Sequence, residues 1–169
     1  LGGLVKPKLN KMKQYIGTKL VSATPAIRKG GKVYSPTDEI PKSMEPVEEG
    51  YKVIYEGGYE SWSPKDVFEK AYRPCDGMNF GLAIEALKQG KCVTRKGWNG
   101  KGMFLWLKPG ANVKAEWCKD PKLYDLAMQN GGEIEALGTI CMFTAQKQIL
   151  SGWLASQTDM LAEDWMILE

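Results

Sequence analysis

The chain has 169 residues, room for one domain or two small ones. With 43% hydrophobic and 25% charged residues it has the balance of a folded globular protein, and its charge of +3, with interspersed signs, excludes a dense basic groove for a nucleic-acid polymer. Histidine is missing altogether, so a Ser–His or Cys–His catalytic pair and a His-ligated zinc are excluded as well.

No apolar run reaches the roughly 20 residues needed to span a bilayer. The opening Leu1-Gly-Gly-Leu-Val5 lacks the apolar stretch and cleavage pattern of a secretory signal. Cys75, Cys92, Cys118 and Cys141 are widely separated and form no C-x-x-C pair. They are expected as reduced thiols in a cytoplasm, with no metal site and no cofactor.

Residues 1–11 read as a tail, native or left from a tag, and Met12 is a candidate native start. Residues 12–75 predict a small β-rich module closed by one helix. Tyr15–Val21 is expected as a strand. The stretch from there to Pro46 holds Pro25, Gly30, Gly31, Pro36 and Pro41, too many breakers for a long regular element. Tyr51–Tyr55 and Tyr59–Trp62 flank Glu56-Gly57-Gly58, which predicts a hairpin with glycines for positive φ. A helix follows, with Ser63 as cap, Pro64 in its first position and Val67, Phe68 and Ala71 inward.

Arg73–Gly77 is the expected boundary, with a second domain over residues 78–169. Asn79 caps a helix in which Phe80, Ala83, Ile84 and Leu87 recur at i, i+3, i+4 and i+7, and Gly90 ends it. Cys92–Arg95 predicts a strand, Lys96–Gly102 a glycine-rich loop, and Met103–Leu107 a buried strand stopped by Pro109-Gly110. Pro121–Gln129 predicts a helix with Leu123, Leu126 and Ala127 inward. Thr139–Thr144 and Gln148–Leu150 predict a hairpin around Ala145–Lys147, and Trp165–Leu168 a last strand. The fold class is therefore α+β: a small antiparallel sheet with a packed helix, preceded by the β-rich module.

Two stretches carry candidate chemistry. Gly152–Trp165 sets two tryptophans around Ser156, Gln157, Thr158 and Asp159. One reading is a pocket for a flat, hydroxyl-rich molecule, with stacking faces and polar readers. The other is a Thr or Asp N-cap that opens a helical turn at Met160. The loop Gly97–Gly102 is open in the same way. It reads as a phosphate cradle of backbone N–H groups and Lys101, without P-loop spacing, or as a tight hairpin turn on Asn99-Gly100. Together, Trp98 and Trp153 offer two walls able to sandwich a flat ring. Trp106 is expected in the core or an interface, Trp117 partly exposed, and Trp62 in the core of the first module. Asp159, Glu163 and Asp164 have acid–base groups, but their spacing suits helix-start capping better, and no catalytic residue is expected.

Met78-Asn-Phe-Gly81 with Ala83–Gly90, then Arg95–Phe104, and finally Trp153-Leu-Ala-Ser-Gln-Thr-Asp-Met-Leu-Ala-Glu-Asp-Trp165 resemble the phage Thoeris anti-defence 2 family over residues 78–169. The resemblance implies a non-enzymatic sponge in the cytoplasm of an infected or lysogenic bacterium. Its ligand would be a cyclic nucleotide immune signal, glycocyclic ADP-ribose or a cyclic oligonucleotide. It also implies a homo-oligomer with pockets between protomers, while the composition gives neither a membrane nor a nucleic-acid polymer as partner. Carried onto this sequence, it makes Trp98 and Trp153 the aromatic walls and Phe104 a lining residue. Asn99, Ser156, Gln157, Thr158 and Asp159 become the polar readers, with Asp159 facing a hydroxyl or N–H or serving as a cap. Trp165, at the start of the last apolar strand, goes to the core. Cys141–Lys147 departs from the family's acidic or histidine-containing pattern. The first module resembles an accessory module of phage and prophage proteins. An enzyme degrading the same signal and a host-protein interaction module are the two other readings.

Overall fold

The computed structural model describes residues 14 and 16–168. The expected tail, the candidate start at Met12, and Tyr15 lie outside them. Contacts divide the chain into two compact units, one ending at Phe68 and one beginning at Glu69.

In the first unit, β1 (Ser22–Lys29), β2 (Lys32–Tyr34), β3 (Val47–Ile54) and β4 (Glu60–Pro64) form an antiparallel sheet in the order β2-β1-β3-β4. The expected strand at 15–21 is corrected. Residues 16–21 carry no strand, and β1 and β2 lie within the stretch expected to be irregular. Pro25 is tolerated because β2 pairs only with Ile27–Lys29, so at Pro25 the strand has a single neighbour and a missing N–H costs little. Gly30 and Gly31, with φ of 56° and 76°, make the two-residue turn between β1 and β2. The expected hairpin around residues 56–58 forms, with Tyr55 N–H donating to the Tyr59 carbonyl at 2.9 Å.

The helix α1 (Lys65–Ala71) starts one residue later than expected, because Ser63 and Pro64 remain in β4 paired with Tyr51 and Gly50. Ser63 therefore does not cap it. Val67 and Ala71 are exposed, and only Phe68 packs, its ring stacked on Tyr51 at 4.3 Å. Trp62 is half-buried rather than core. It lies over Gly50, where a Cβ would meet its ring at 2.7 Å, and carries the Arg28 guanidinium 4.1 Å above it.

The second unit is built on α2 (Phe80–Lys88), β5 (Cys92–Arg95), β6 (Phe104–Lys108), β9 (Thr139–Phe143), β10 (Ile149–Ser151) and β11 (Trp165–Leu168). The five strands form one antiparallel sheet in the order β10-β9-β6-β5-β11. Asn79 caps α2 as expected, its side-chain oxygen accepting from Leu82 N–H at 3.0 Å. Gly90, at φ 80°, ends it with Gly90 N–H to Leu87 O and Lys91 N–H to Ala86 O.

Register decides what the sheet buries. Val93 pairs with Leu105 and Leu105 with Met142, so these three share a face, and α2 brings Ala83, Ala86 and Leu87 onto it. Met78 and Trp165 complete the buried cluster. Burying Leu87 and Leu105 contributes about 2 kcal/mol each. The outer edge of β11 is covered by the chain leading into α2, through Met78 and Cys75.

Between β6 and β9 lies an insert that holds more than the one helix expected there. β7 (Ala111–Lys114) and β8 (Glu133–Ala136) pair antiparallel, with a short 3-10 turn at Ala115–Trp117 and α3 (Pro121–Gln129) between them. Asp120 caps α3, but of its expected inward residues only Ala127 is fully buried, and Leu126 is 40% exposed. An open cleft of about 330 Å³ here is lined by Lys114, Ala115, Glu116, Tyr124, Met128 and Gly132, none of them an expected site residue.

Candidate functional site

The loop between β5 and β6 carries Trp98 on a set of close contacts. Asn99 and Gly100 do not adopt the positive φ of a tight hairpin turn, so that reading is corrected; the positive φ falls on Gly102, at 73°. The glycines serve packing instead. A Cβ on Gly97 would lie 2.7 Å from Asp164 Oδ2, and one on Gly100 would lie 2.8 Å from the Ala145 Cβ. Gly97 N–H donates to Asp164 Oδ2 at 2.6 Å, so it is not free for a phosphate.

On the other side, residues 157–160 form a one-turn helix, α4 (Gln157–Met160). Its cap is Ser156, not Thr158 or Asp159, and it begins before Met160. Ser156 and Asp159 form a capping box: Asp159 N–H donates to Ser156 Oγ at 3.2 Å, and Ser156 N–H donates to Asp159 Oδ2 at 3.0 Å. Ser156 Oγ adds a further donation to Asp159 Oδ2 at 2.6 Å.

The loop and the turn meet at Arg95, a residue not among the expected site residues. Its Nη1 donates to Asp159 Oδ1 at 2.7 Å and its Nε to Asp164 Oδ1 at 2.8 Å. Asp159 Oδ1 also accepts from the Trp98 indole Nε1–H at 3.0 Å, and the Asp159 carbonyl accepts from the Trp165 indole at 3.0 Å. The Asp159 carboxylate thus accepts four hydrogen bonds from the protein, its full ordinary capacity. The cation and both carboxylates are mostly buried, with side-chain exposures of 14%, 11% and 30% for Arg95, Asp159 and Asp164.

These contacts control charge. Burial works against the anion at Asp159, but the hydrogen bonds from Ser156, Trp98 and Arg95 outweigh it and hold the carboxyl at about 2. Asp164 is likewise lowered, against its burial, by Arg95 and the Gly97 N–H. Burial disfavours the Arg95 cation, yet Asp164 and Asp159 raise its pKa above the ordinary value.

Around this clamp the aromatic rings form one cluster. Trp98 lies edge-to-face with Trp153, centroids 6.1 Å apart at 67°, and with Trp165 at 5.4 Å and 77°. Phe80 packs on Trp153 and Trp165. The sandwich geometry is therefore corrected: a flat ring between two walls needs them near-parallel and two stacking distances apart, and these touch edge to face. Trp98 and Trp153 each remain half-buried, with surface left for a ligand, while Trp165 is wholly buried as expected.

The other expected residues divide clearly. Ser156, Gln157 and Thr158 are exposed on α4, and Ser156 and Thr158 share a hydroxyl contact at 2.8 Å. Asn99 is exposed on the Trp98 loop. Phe104 is not brought to the group. It pairs with Phe143 one register position from Leu105, so it lies on the sheet face opposite the core, stacked on Phe143 at 5.3 Å and beside Trp106 at 5.8 Å.

Among the described residues no group of three or more Cys, Asp or Glu is placed to hold a metal, and the four cysteines are free thiols. No helix among them is long and apolar enough to cross a membrane.

The comparisons fall on this second unit. A family model described as the Thoeris anti-defense 2-like domain matches residues 78–168. Thoeris anti-defense 2 of Bacillus phage SP01 is 41% identical over 93 residues, which is 54% of this chain and 94% of that protein. The matched span holds Arg95, Trp98, Trp153, Asp159, Asp164 and Trp165, the parts of the clamp and its aromatic cluster. By these matches the chain belongs to the Thoeris anti-defense 2-like family.

Proposed function

We propose that this protein acts in phage anti-defence by binding and sequestering a cyclic nucleotide immune signal, glycocyclic ADP-ribose or a related molecule, without cleaving it. The observation that carries the reading is the 41% identity across 94% of a phage protein named for countering Thoeris. The site supports capture over turnover. Asp159 and Asp164 face Arg95 and are held as anions well below neutral pH, so neither is a proton donor for hydrolysis. What remains for a ligand is the free surface of Trp98 and Trp153, and the exposed polar groups of Asn99, Gln157 and Thr158. The indole N–H of Trp98 is spent inside the protein, so that side chain offers a stacking surface rather than a donor.

A homo-oligomer with pockets between protomers belongs to the same reading. Leu154 at 89% and Leu161 at 78% exposure flank the α4 turn, Met160 at 40% ends it, and exposed apolar side chains gathered beside a site suit protomer contact. The partner is a small molecule, and the protein works in the cytoplasm of the infected or lysogenic host. Incubating the chain with glycocyclic ADP-ribose, denaturing it with heat and analysing the released nucleotide tests the proposal. Intact signal is expected; a converted product would establish the degrading enzyme instead.

A further inference from the structure

We propose that Arg95 is a positioning residue for ligand capture: it holds the Trp98 loop and the α4 turn in one arrangement without touching the ligand. The inference rests on the sponge reading above and concerns the same site.

Geometry supplies the argument. Arg95 reaches two carboxylates that lie 64 and 69 residues away in sequence, each through a different nitrogen. One of them, Asp159, anchors the Trp98 indole on the same oxygen that receives Arg95 Nη1, so the cation sets where that anchor sits. The other, Asp164, anchors the loop backbone at Gly97, and its carbonyl receives Lys96 N–H at 3.2 Å. The start of the loop, at Lys96, Gly97 and the Trp98 ring, is therefore tied to the two aspartates that Arg95 bridges, on the chain that carries Ser156, Gln157 and Thr158. A guanidinium can bridge two carboxylates from separate donors in a rigid fork, whereas an ammonium is a point charge on a flexible stem. Charge adds a second effect. Without the cation, two carboxylates would face each other beside the Trp98 ring and repel an anionic nucleotide, a repulsion that salt screens.

Holding the tryptophan in advance of binding spares the ligand the ordering cost, so loss of Arg95 should appear mainly as lost affinity. The test titrates the full chain and its variants with glycocyclic ADP-ribose as the probe, by calorimetry at low and high salt. Tryptophan indole N–H resonances are recorded alongside. Arg95→Lys should weaken binding about ten-fold, with the charge kept and the fork lost, and Arg95→Ala about a hundred-fold. The Ala deficit should shrink at high salt, which a loosened fold alone would not produce. In both variants the Trp98 indole resonance should move. Native affinity in a folded Arg95→Ala protein, or an unmoved Trp98 resonance, would overturn the proposal. Should Arg95→Ala fail to fold, Arg95→Lys carries the same readouts, and native affinity there would overturn it. If the native chain takes up no probe, the sponge reading fails, and the Trp98 resonance in Arg95→Lys still decides the positioning role.

Discussion

Asp159→Asn removes one charge from the clamp and keeps the shape of the side chain. In the native protein this carboxyl sits at about 2 instead of 3.8. At roughly 1.4 kcal/mol per unit, the difference corresponds to about 2 to 3 kcal/mol of stability. With the side chain only 11% exposed, solvent screening takes little of it away. The sign follows from the direction of the shift. A depressed folded value means the stabilisation is complete above the unfolded value near 4 and fades as pH falls through the folded value. The variant should thus be about 2 to 3 kcal/mol less stable than the native chain at pH 7, and the gap should close between about pH 5 and pH 2. Asp164 is depressed as well and follows the same trend, but it is present in both proteins and largely cancels in the difference. Urea unfolding followed by tryptophan fluorescence at a series of pH values measures the gap. Of the six tryptophans only Trp62 lies outside the second unit, so the signal reports the unit that holds the clamp. A gap as wide at pH 3 as at pH 7 would refute the assignment to the carboxylate's charge. No gap at pH 7 would refute the clamp itself.

Other consequences are as direct. Gly97→Ala places a Cβ 2.7 Å from Asp164 Oδ2 and should cost about 1 to 3 kcal/mol; an unchanged melting temperature would mean the loop has room that the structure denies it. Leu87→Ala, beneath the sheet at 2% exposure, should cost about 2 to 5 kcal/mol in chemical unfolding, and a loss below 1 kcal/mol would show that the core collapses around the missing side chain. Trp153→Ala should abolish nucleotide binding, whereas Trp117→Ala, at 60% exposure in the insert, should leave it intact. Because Trp153 packs on Phe80, Trp98 and Trp165, circular dichroism must confirm that the variant is folded, and native affinity would remove Trp153 from the site.

Local signals read well where they were sufficient in themselves. Asn79, the apolar spacing from Phe80 to Leu87, and Gly90 carry the start, face and end of α2 within a dozen residues, and the helix forms there. The hairpin at residues 145–147 forms too, with Lys147 taking the positive φ of 61° that a glycine would adopt more cheaply. Signals failed where pairing decided. Pro25 and the Gly30-Gly31 pair looked like breakers, yet the first lies where β1 has one neighbour and the second makes a hairpin turn. β7 and β8 are four residues each and join across α3; the alternation in Ala111-Asn-Val-Lys114 and Glu133-Ile-Glu-Ala136 is too short to mark a strand without the pairing.

The same division runs through the site. The sequence by itself determined that the chain is α+β and that tryptophans sit beside polar residues in two separate stretches. It also determined that one domain carries the family's motifs, because composition, periodicity and motif are properties of neighbours along the chain. Only the tertiary structure decided what those residues do to one another. Phe104 belongs to the other face of the sheet because a strand alternates its side chains and Leu105 took the core. Asp159, which the sequence offered as a ligand reader or a cap, has its carboxylate filled by Ser156, Trp98 and Arg95. Arg95 was present in the motif from the start, but a cation's meaning lies in the charges it meets. Those stand 64 and 69 residues further along the chain, and only folding brings them within 3 Å.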